Sequence, residues 1–270
     1  MVALMAGRIL ADWRKTRRLS QLELAGRAQV SSRHLSFVET GRAQPSAGLL
    51  RRLAEAMELS CRDTNQLLLA AGHPPVYGET RLDDPALAAV RQALEVMLEN
   101  HLPYPAAVLD AHWNILMANS AQQALLTAIA EEAGPLPATT NIVELVFHPD
   151  GIRPFIVNWE TVAGFLLRRL RRDLALRPDP KLQRLWRRLA ELADLHALEA
   201  HTPRIAEPML TLQLRLGGQL LSSFSTLASF GTAVDVVVEE LRIEHYFPAD
   251  DATRAFFHDG AAAAPKQRAG

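Results

Sequence analysis

Residues Ser20–Arg42 read SQLELAGRAQVSSRHLSFVETGR, and their punctuation decides the fold of the first part of the chain. Ser20 precedes an apolar-periodic run and Glu23 follows three residues later. That is the spacing of a capping box, in which the hydroxyl and the carboxylate each satisfy an orphan backbone N–H. Leu22, Leu24 and Ala25 are expected on its inward face. The turn Ala28-Gln29-Val30 breaks this helix. Ser31 caps a second one over residues 32–40, with Leu35 and Val38 inward, joined by His34, and Gly41 closes it. Two short helices across a tight turn predict a helix-turn-helix.

Working outward, residues 4–18 read as a preceding helix with Ile9, Leu10 and Trp13 on one face. Pro45-Ser46 opens a fourth helix carrying Leu49, Leu50, Leu53 and Met57. A fifth runs from Arg62 to Ala71 and stops at Gly72. The expectation is an all-α, five-helix domain over residues 1–72. Residues 1–73 hold 11 Arg and Lys against 6 Asp and Glu, a net +5, whereas the rest holds 18 against 24, a net −6. A small basic domain suits a polyphosphate partner, because each neutralised phosphate releases counterions. Arg14, Lys15, Arg17 and Arg18 sit where a helix C-terminus favours cations, so DNA contact is only one of two readings for them.

SQLELA, VSSRHLSFVETGR and the following PS resemble the phage-repressor and Cro type of helix-turn-helix, the XRE family, over residues 6–71. The resemblance implies binding to double-stranded operator DNA with the second helix of the motif in the major groove. Carried over residue by residue, Ser32, Arg33 and Ser36 point outward. Arg33 is the base reader, since its fork pairs two acceptors on guanine. Phe37 either meets a thymine methyl or packs. Gln21, Ser31, Thr40 and Arg42 are the phosphate contacts. Gln29 departs from the family, which has Gly in the turn; a left-handed backbone there costs Gln about 1 kcal/mol.

Residues 73–85, HPPVYGETRLDDP, lack periodicity and read as a linker. Pro85 starts a helix to about Asn100. Ala106–Leu109 reads as a strand, Asp110-Ala111-His112 as a turn, and residues 113–118 as a second strand with Trp113, Ile115 and Met117 on one face. Two amphipathic helices with Arg-rich outer faces follow. Then come MLTLQLRL (209–216), QLLSSFSTLASF (219–230) and VVVEELRIEHYF (236–247), the first two joined by the hairpin signal Gly217-Gly218. Two strands, then helices, then three antiparallel strands predict an α+β, PAS-like domain over 86–259, a five-stranded antiparallel sheet with helices. A disordered tail is expected over 260–270.

FHPDGIRPFIVNWE, TLASFGT and ELRIEHYFPAD resemble the ligand-binding domain of MmyB-like transcription regulators, over residues 104–258. The resemblance implies a PAS-type sensor for a small hydrophobic, fatty-acid-like ligand. An apolar ligand needs a concave apolar lining with one or two polar anchors. Tyr104, Leu116, Phe155, Trp159, Leu212, Phe224 and Phe230 are the candidate lining, and Arg153 is the candidate carboxylate anchor; the competing reading is that these residues fill the core. No catalytic fingerprint is present, neither H-E-x-x-H, G-x-S-x-G nor a phosphate-binding glycine loop. His196 and His201, five apart, do not share a helical face for a metal. The sole cysteine, Cys61, excludes internal disulfides. Neither a secretory signal nor a run long enough to span a bilayer stands out. A cytoplasmic, homodimeric, non-enzymatic DNA-binding regulator without cofactor or metal is expected. The alternative for the second domain is a dimerisation or protein-docking module without ligand.

Overall fold

The computed structural model describes residues 2–176, 179–200 and 209–263. His201 and residues 264–270 of the expected tail lie outside them. Packing divides the chain into two compact units. The first takes the chain up to Ala88 together with Phe230–Glu240. The second takes Ala89–Ser229 and the chain from Leu241 on.

The first unit contains α1 (Val2–Thr16), α2 (Gln21–Arg27), α3 (Ser32–Glu39), α4 (Ala47–Ala56) and α5 (Cys61–Ala70). Four of them start on serine: Ser20, Ser31, Ser46 and Ser60 each accept the backbone N–H three residues on. Each such cap contributes about 1 kcal/mol. The capping box at Ser20 is complete, with Ser20 N donating to Glu23 Oε2 at 2.7 Å. Leu10, Leu24, Leu35, Val38, Leu50, Leu53, Leu67 and Leu68 form the fully buried core. Gly7 lies where a Cβ would run into the Val38 carbonyl oxygen, so α1 and α3 pack closely only because residue 7 has no side chain.

Two inward assignments are corrected. Leu22 is 73% exposed, because it lies two residues, about 200° of helix, from the buried Leu24. His34 is also exposed, since nothing packs on the first turn of α3 at that angle. Arg14 and Arg17 are structural. Arg14 pairs with Glu39, and Arg17 donates to the carbonyls of Met57 and Glu58 past the end of α4, at 2.9 and 3.1 Å.

Residues 73–85 are tied down rather than free. Asn65 Oδ1 accepts the N–H groups of Val76 and Tyr77, and its amide donates to Tyr77 O. Asp235 Oδ2 accepts Thr80 N at 3.1 Å, and Val236 N donates to Gly78 O at 2.8 Å. The expected strand over 236–247 is thus two elements: α12 (Val236–Glu240), which packs on α5, and β5 (Arg242–Pro248). Asp235 caps α12 by accepting the N–H groups of Val237 and Val238, overriding the strand preference of three consecutive valines. Glu239 accepts Cys61 N at 2.7 Å, and Glu240 receives a bidentate bond from Arg62 at 2.7 and 3.0 Å.

The second unit is built on an antiparallel five-stranded sheet, in the order β2-β1-β5-β4-β3. Its other strands are β1 (Ala106–Leu109), β2 (Ile115–Ala118), β3 (Leu212–Leu216) and β4 (Gln219–Ala228). The β3–β4 hairpin turns on Gly217 and Gly218, both at positive φ as a two-residue turn needs. The helices are α6 (Ala88–Glu99), α7 (Ser120–Ala133), α8 (Ile142–Phe147), α9 (Trp159–Leu176), α10 (Pro180–Leu192), α11 (Leu195–Ala200) and α13 (Asp251–Ala263). α13 carries the chain four residues into the segment expected to be a disordered tail. One sheet face, with Ala107, Leu109, Leu214, Leu216 and Leu221, shares a core with α8, α9 and α10.

The β1–β2 connection differs from the alternating strand expected. Trp113 has φ +71 and sits in the turn, 3% exposed. A register shift places Ile115 opposite Leu109 but Met117 opposite Val108, so Ile115 and Met117 lie on opposite faces. Asp110 Oδ1 holds this turn by accepting the N–H groups of His112 and Asn114. His112 then bridges to the cap of α10, with Nε2 3.0 Å from Asp179 Oδ2 and Nδ1 3.7 Å from Asp110 Oδ2. Asp110 raises the His112 pKa, against desolvation and with help from Asp179. The Asp110 carboxyl is held at about 2: burial pushes it up, but hydrogen bonds from His112 and Asn114 outweigh that.

Two outcomes test these features. Gln29 has φ +53, so Gln29→Gly relieves a left-handed non-glycine residue and is expected to stabilise the first unit by about 1 kcal/mol; an unchanged or lower melting temperature would show no strain there. For His112, the folded pKa lies above the unfolded value of about 6.5. Its contribution is therefore complete below that value and is lost as pH rises through the folded pKa. The melting-temperature gap between wild type and His112→Gln should be widest near pH 5.5 and close toward pH 8.5. A gap that is flat or widens with pH would show that the His112 bridge to Asp110 and Asp179 adds no stability.

Candidate DNA-binding and ligand-binding sites

The outward surface of α3 is set by what the helix buries. Leu35, Val38 and Glu39 face the core, which leaves Ser32, Arg33 and Thr40 exposed and Ser36 and Phe37 half-buried. Arg33 lies over the Phe37 ring, its Cζ 5.5 Å from the centroid, one helical turn away. Phe37 is thereby neither core nor free, but a platform beneath the guanidinium. Ser31 accepts His34 N at 3.1 Å, and the Thr40 hydroxyl donates to Ser36 O at 2.8 Å. Arg42 is exposed past the end of α3.

Gln21 opens α2 and is half-buried. Its amide donates to Glu39 Oε2 at 2.7 Å, a bond that the spacing of Ser20–Arg42 did not announce. The sequence-derived set therefore comes together around one motif. Exposed His34 joins it, missed because it lies one helical turn before the buried Val38.

The ligand-site candidates are scattered. Phe155 is buried in the core. Trp159 donates through Nε1 to Val146 O at 2.9 Å and meets Phe147 edge to face. Arg153 stacks over Trp159 at 3.8 Å and donates to Leu192 O at 3.3 Å. Leu212 is half-buried at the start of β3. Phe224 stacks on Phe247 at 5.3 Å, Leu116 is exposed on β2, and Phe230 belongs to the first unit. Tyr104 reaches His258 through its hydroxyl at 3.2 Å and stands against Phe257.

Phe257 helps line an apolar cavity of about 250 Å³ between α7, α13 and the end of β3. Its walls are Leu102, Pro103, Ala121, Ala124, Leu125, Ala128, Leu216, Phe256 and Phe257, with Ser120 contributing a hydroxyl. None of the eight candidates lines it. Its small residues, Ala121, Ala124 and Ala128, share one flank of α7. The sequence shows them only as a weak apolar stripe.

Among the described residues there is no group of three or more His, Cys, Asp or Glu able to hold a metal, and no helix is long and apolar enough to cross a membrane.

A family model for a helix-turn-helix domain matches residues 6–67, and the model for the MmyB-like transcription regulator ligand binding domain matches residues 90–259. No curated protein matches the chain. Among solved structures it is similar to the clp gene regulator ClgR from Corynebacterium glutamicum, with 28% identity over 27% of this chain and 90% of that one and a TM-score of 0.24. It is also similar to the restriction-modification controller protein C.AhdI from Aeromonas hydrophila, with 26% identity over 23% of this chain and 94% of that one and a TM-score of 0.22. Both matched families are those of transcription regulators and not of enzymes. A helix-turn-helix of this geometry, followed by a domain that the second model matches over residues 90–259, places the chain in the MmyB-like family of DNA-binding transcription regulators with a ligand-binding domain.

Proposed function

We propose that the protein works in the cytoplasm as a homodimer that reads a roughly palindromic operator, one helix-turn-helix per half-site, under the control of a small, hydrophobic, fatty-acid-like ligand. Residues 1–72 bind DNA, 73–85 connect, and 86–259 sense. Arg33 reads a guanine through its fork, with Ser32, Ser36 and Phe37 beside it. Gln21, Ser31, Thr40 and Arg42 set the register on phosphates. The observation that carries this reading is the exposed, aromatic-backed Arg33 at the front of a doubly serine-capped helix pair.

The apolar cavity of about 250 Å³ supports the sensing part, although it falls just below the usual range of ligand sites, about 300 to 1,000 Å³. The well-packed Phe155 and Trp159 favour the second reading, a docking module with a filled core. Mass spectrometry of molecules extracted from the purified chain separates the two: a recurrent apolar molecule supports sensing, and an empty protein that still dimerises supports docking.

For DNA, Arg33→Ala should cost about 1–3 kcal/mol on duplex from the region upstream of its own gene, a loss of roughly tenfold or more, and relax specificity at one position per half-site. Arg42→Ala should instead weaken binding to all sequences alike and reduce the slope of log K against log salt by about one. Equal affinity of Arg33→Ala and wild type for that duplex would remove Arg33 as the base reader.

A further inference from the structure

Trp113 keeps a left-handed backbone in the β1–β2 turn and is almost wholly buried. A bulky residue rarely adopts that conformation. Two guanidiniums stand over its ring. Arg169 of α9 has its Cζ 5.1 Å from the ring centroid, and Arg242, the first residue of β5, has its Cζ 5.0 Å away. An aromatic face attracts a cation, but two cations gathered on one ring also repel each other. Burial and Arg242 push the Arg169 pKa down, although a guanidinium keeps its proton in a protein.

The donors of this cluster are not used up. Arg242 donates through Nη2 to Asp173 Oδ2 at 3.2 Å, but its Nη1 is buried with no acceptor among the described residues. Trp113 Nε1 is likewise buried and without an acceptor among them. Both atoms can only donate, and a buried donor left unpaired is costly. The unused capacity calls for an acceptor.

Charge narrows the choice. Asp173 lies one helical turn beyond Arg169 on α9 and pairs with Arg242. The charges acting on Arg169 are Arg172 and Arg242 against Asp173 and Glu244. With Arg169 itself, three cations face two carboxyls, and burial pushes the Glu244 carboxyl up toward its neutral form. The surplus is positive and suits a monoanion. A carboxylate brings one charge and two acceptor oxygens, the partner that a guanidinium binds best. Arg242 and Asp173 keep 24% and 22% of their side-chain surface, so the cluster is open to solvent on their side.

We infer that Trp113 Nε1, Arg242 Nη1 and the charge of Arg169 form an anion subsite that takes one carboxylate group, of a free small acid or at the head of a larger ligand. It shares no residue with the 250 Å³ cavity and goes beyond the sensor reading, which it does not require.

The test follows the indole N–H resonances of the full chain, labelled with 15N at its four tryptophans. The Trp113 resonance is assigned by its loss in Trp113→Phe or, should that variant not fold, by elimination with Trp13→Phe, Trp159→Phe and Trp186→Phe. Sodium acetate and sodium octanoate are titrated against sodium chloride at constant ionic strength. Acetate should move the Trp113 resonance downfield and saturably, while chloride leaves it in place. Octanoate acting at lower concentration than acetate assigns the head of a larger ligand; equal action assigns a free small acid. Arg242→Gln should weaken the acetate response about tenfold or more, the scale of a hydrogen bond to a charged group. Should that variant not fold, Arg169→Gln should weaken it several-fold. A Trp113 resonance that neither carboxylate moves, that chloride moves equally, or whose response survives both substitutions overturns the subsite. Octanoate binding that leaves Trp113 unmoved overturns it too, and leaves the sensor reading standing.

Discussion

Glu39 ends α3 with its carboxylate buried, and the N–H donors of Arg14 and Gln21 converge on it. Arg14 Nε and Nη2 lie 2.7 and 2.9 Å from its two oxygens, and Gln21 Nε2 lies 2.7 Å from Oε2. Arg14 also reaches Leu19 O at 2.8 Å. Taking a carboxylate out of water costs several kcal/mol, and only a fully satisfied set of partners offsets it. Removing either charge strands the other, a loss of about 3–5 kcal/mol. The raised Arg14 pKa has the same origin, its hydrogen bond to Glu39. Through this one group the end of α1, the start of α2 and the end of α3 share a geometry. The angle at which Arg33 leaves the surface follows from it. A lysine at position 14 lacks the planar fork needed to meet both oxygens and a carbonyl together.

The sheet obeys a different constraint. Its covered face is mostly aliphatic, and an aliphatic face is stable in any register that keeps alternation. Polar groups at the strand ends remove that freedom. Asp110, His112 and Asp179 fix the β1–β2 turn against the start of α10. Asn119 accepts Ala106 N at 3.1 Å and donates to Leu98 O and Tyr104 O, locking β1 to the end of α6 and the start of α7.

The helices α1 to α5 were legible because each has a local cause: serine caps, apolar spacing, and glycines at Gly41 and Gly72. The sheet was legible wherever strands are bounded by turn residues, as at Gly217-Gly218 and Asp110. What sequence could not show is what long-range contacts decide. Leu22 looks apolar and inward, but α2 is too short to bury two flanks. Trp113 continues an alternating pattern on paper, yet its left-handed backbone takes it out of the strand. The candidate DNA-contacting residues were readable since one local motif, from Gln21 to Arg42, holds them all. The ligand-site candidates were not, since aromatic residues such as Phe155 and Trp159 satisfy a core and a pocket equally well.

VVVEELRIEHYF shows most clearly why. Three valines favour a strand, but Asp235 caps Val237 and Val238, and Glu239 finds the N-terminal N–H of α5, where a negative charge is favoured. Arg62 binds both Glu240 and Glu79, and these two carboxylates, Glu240 foremost, hold its pKa up against burial. The division of the chain by family and its division by packing therefore do not coincide. Phe230–Glu240 lies within residues 90–259 that match the ligand-binding domain, yet packs with the DNA-binding helices. A ligand changes DNA affinity only if it distinguishes two states of the protein. The segment that packs on α5 follows β4 and leads into β5.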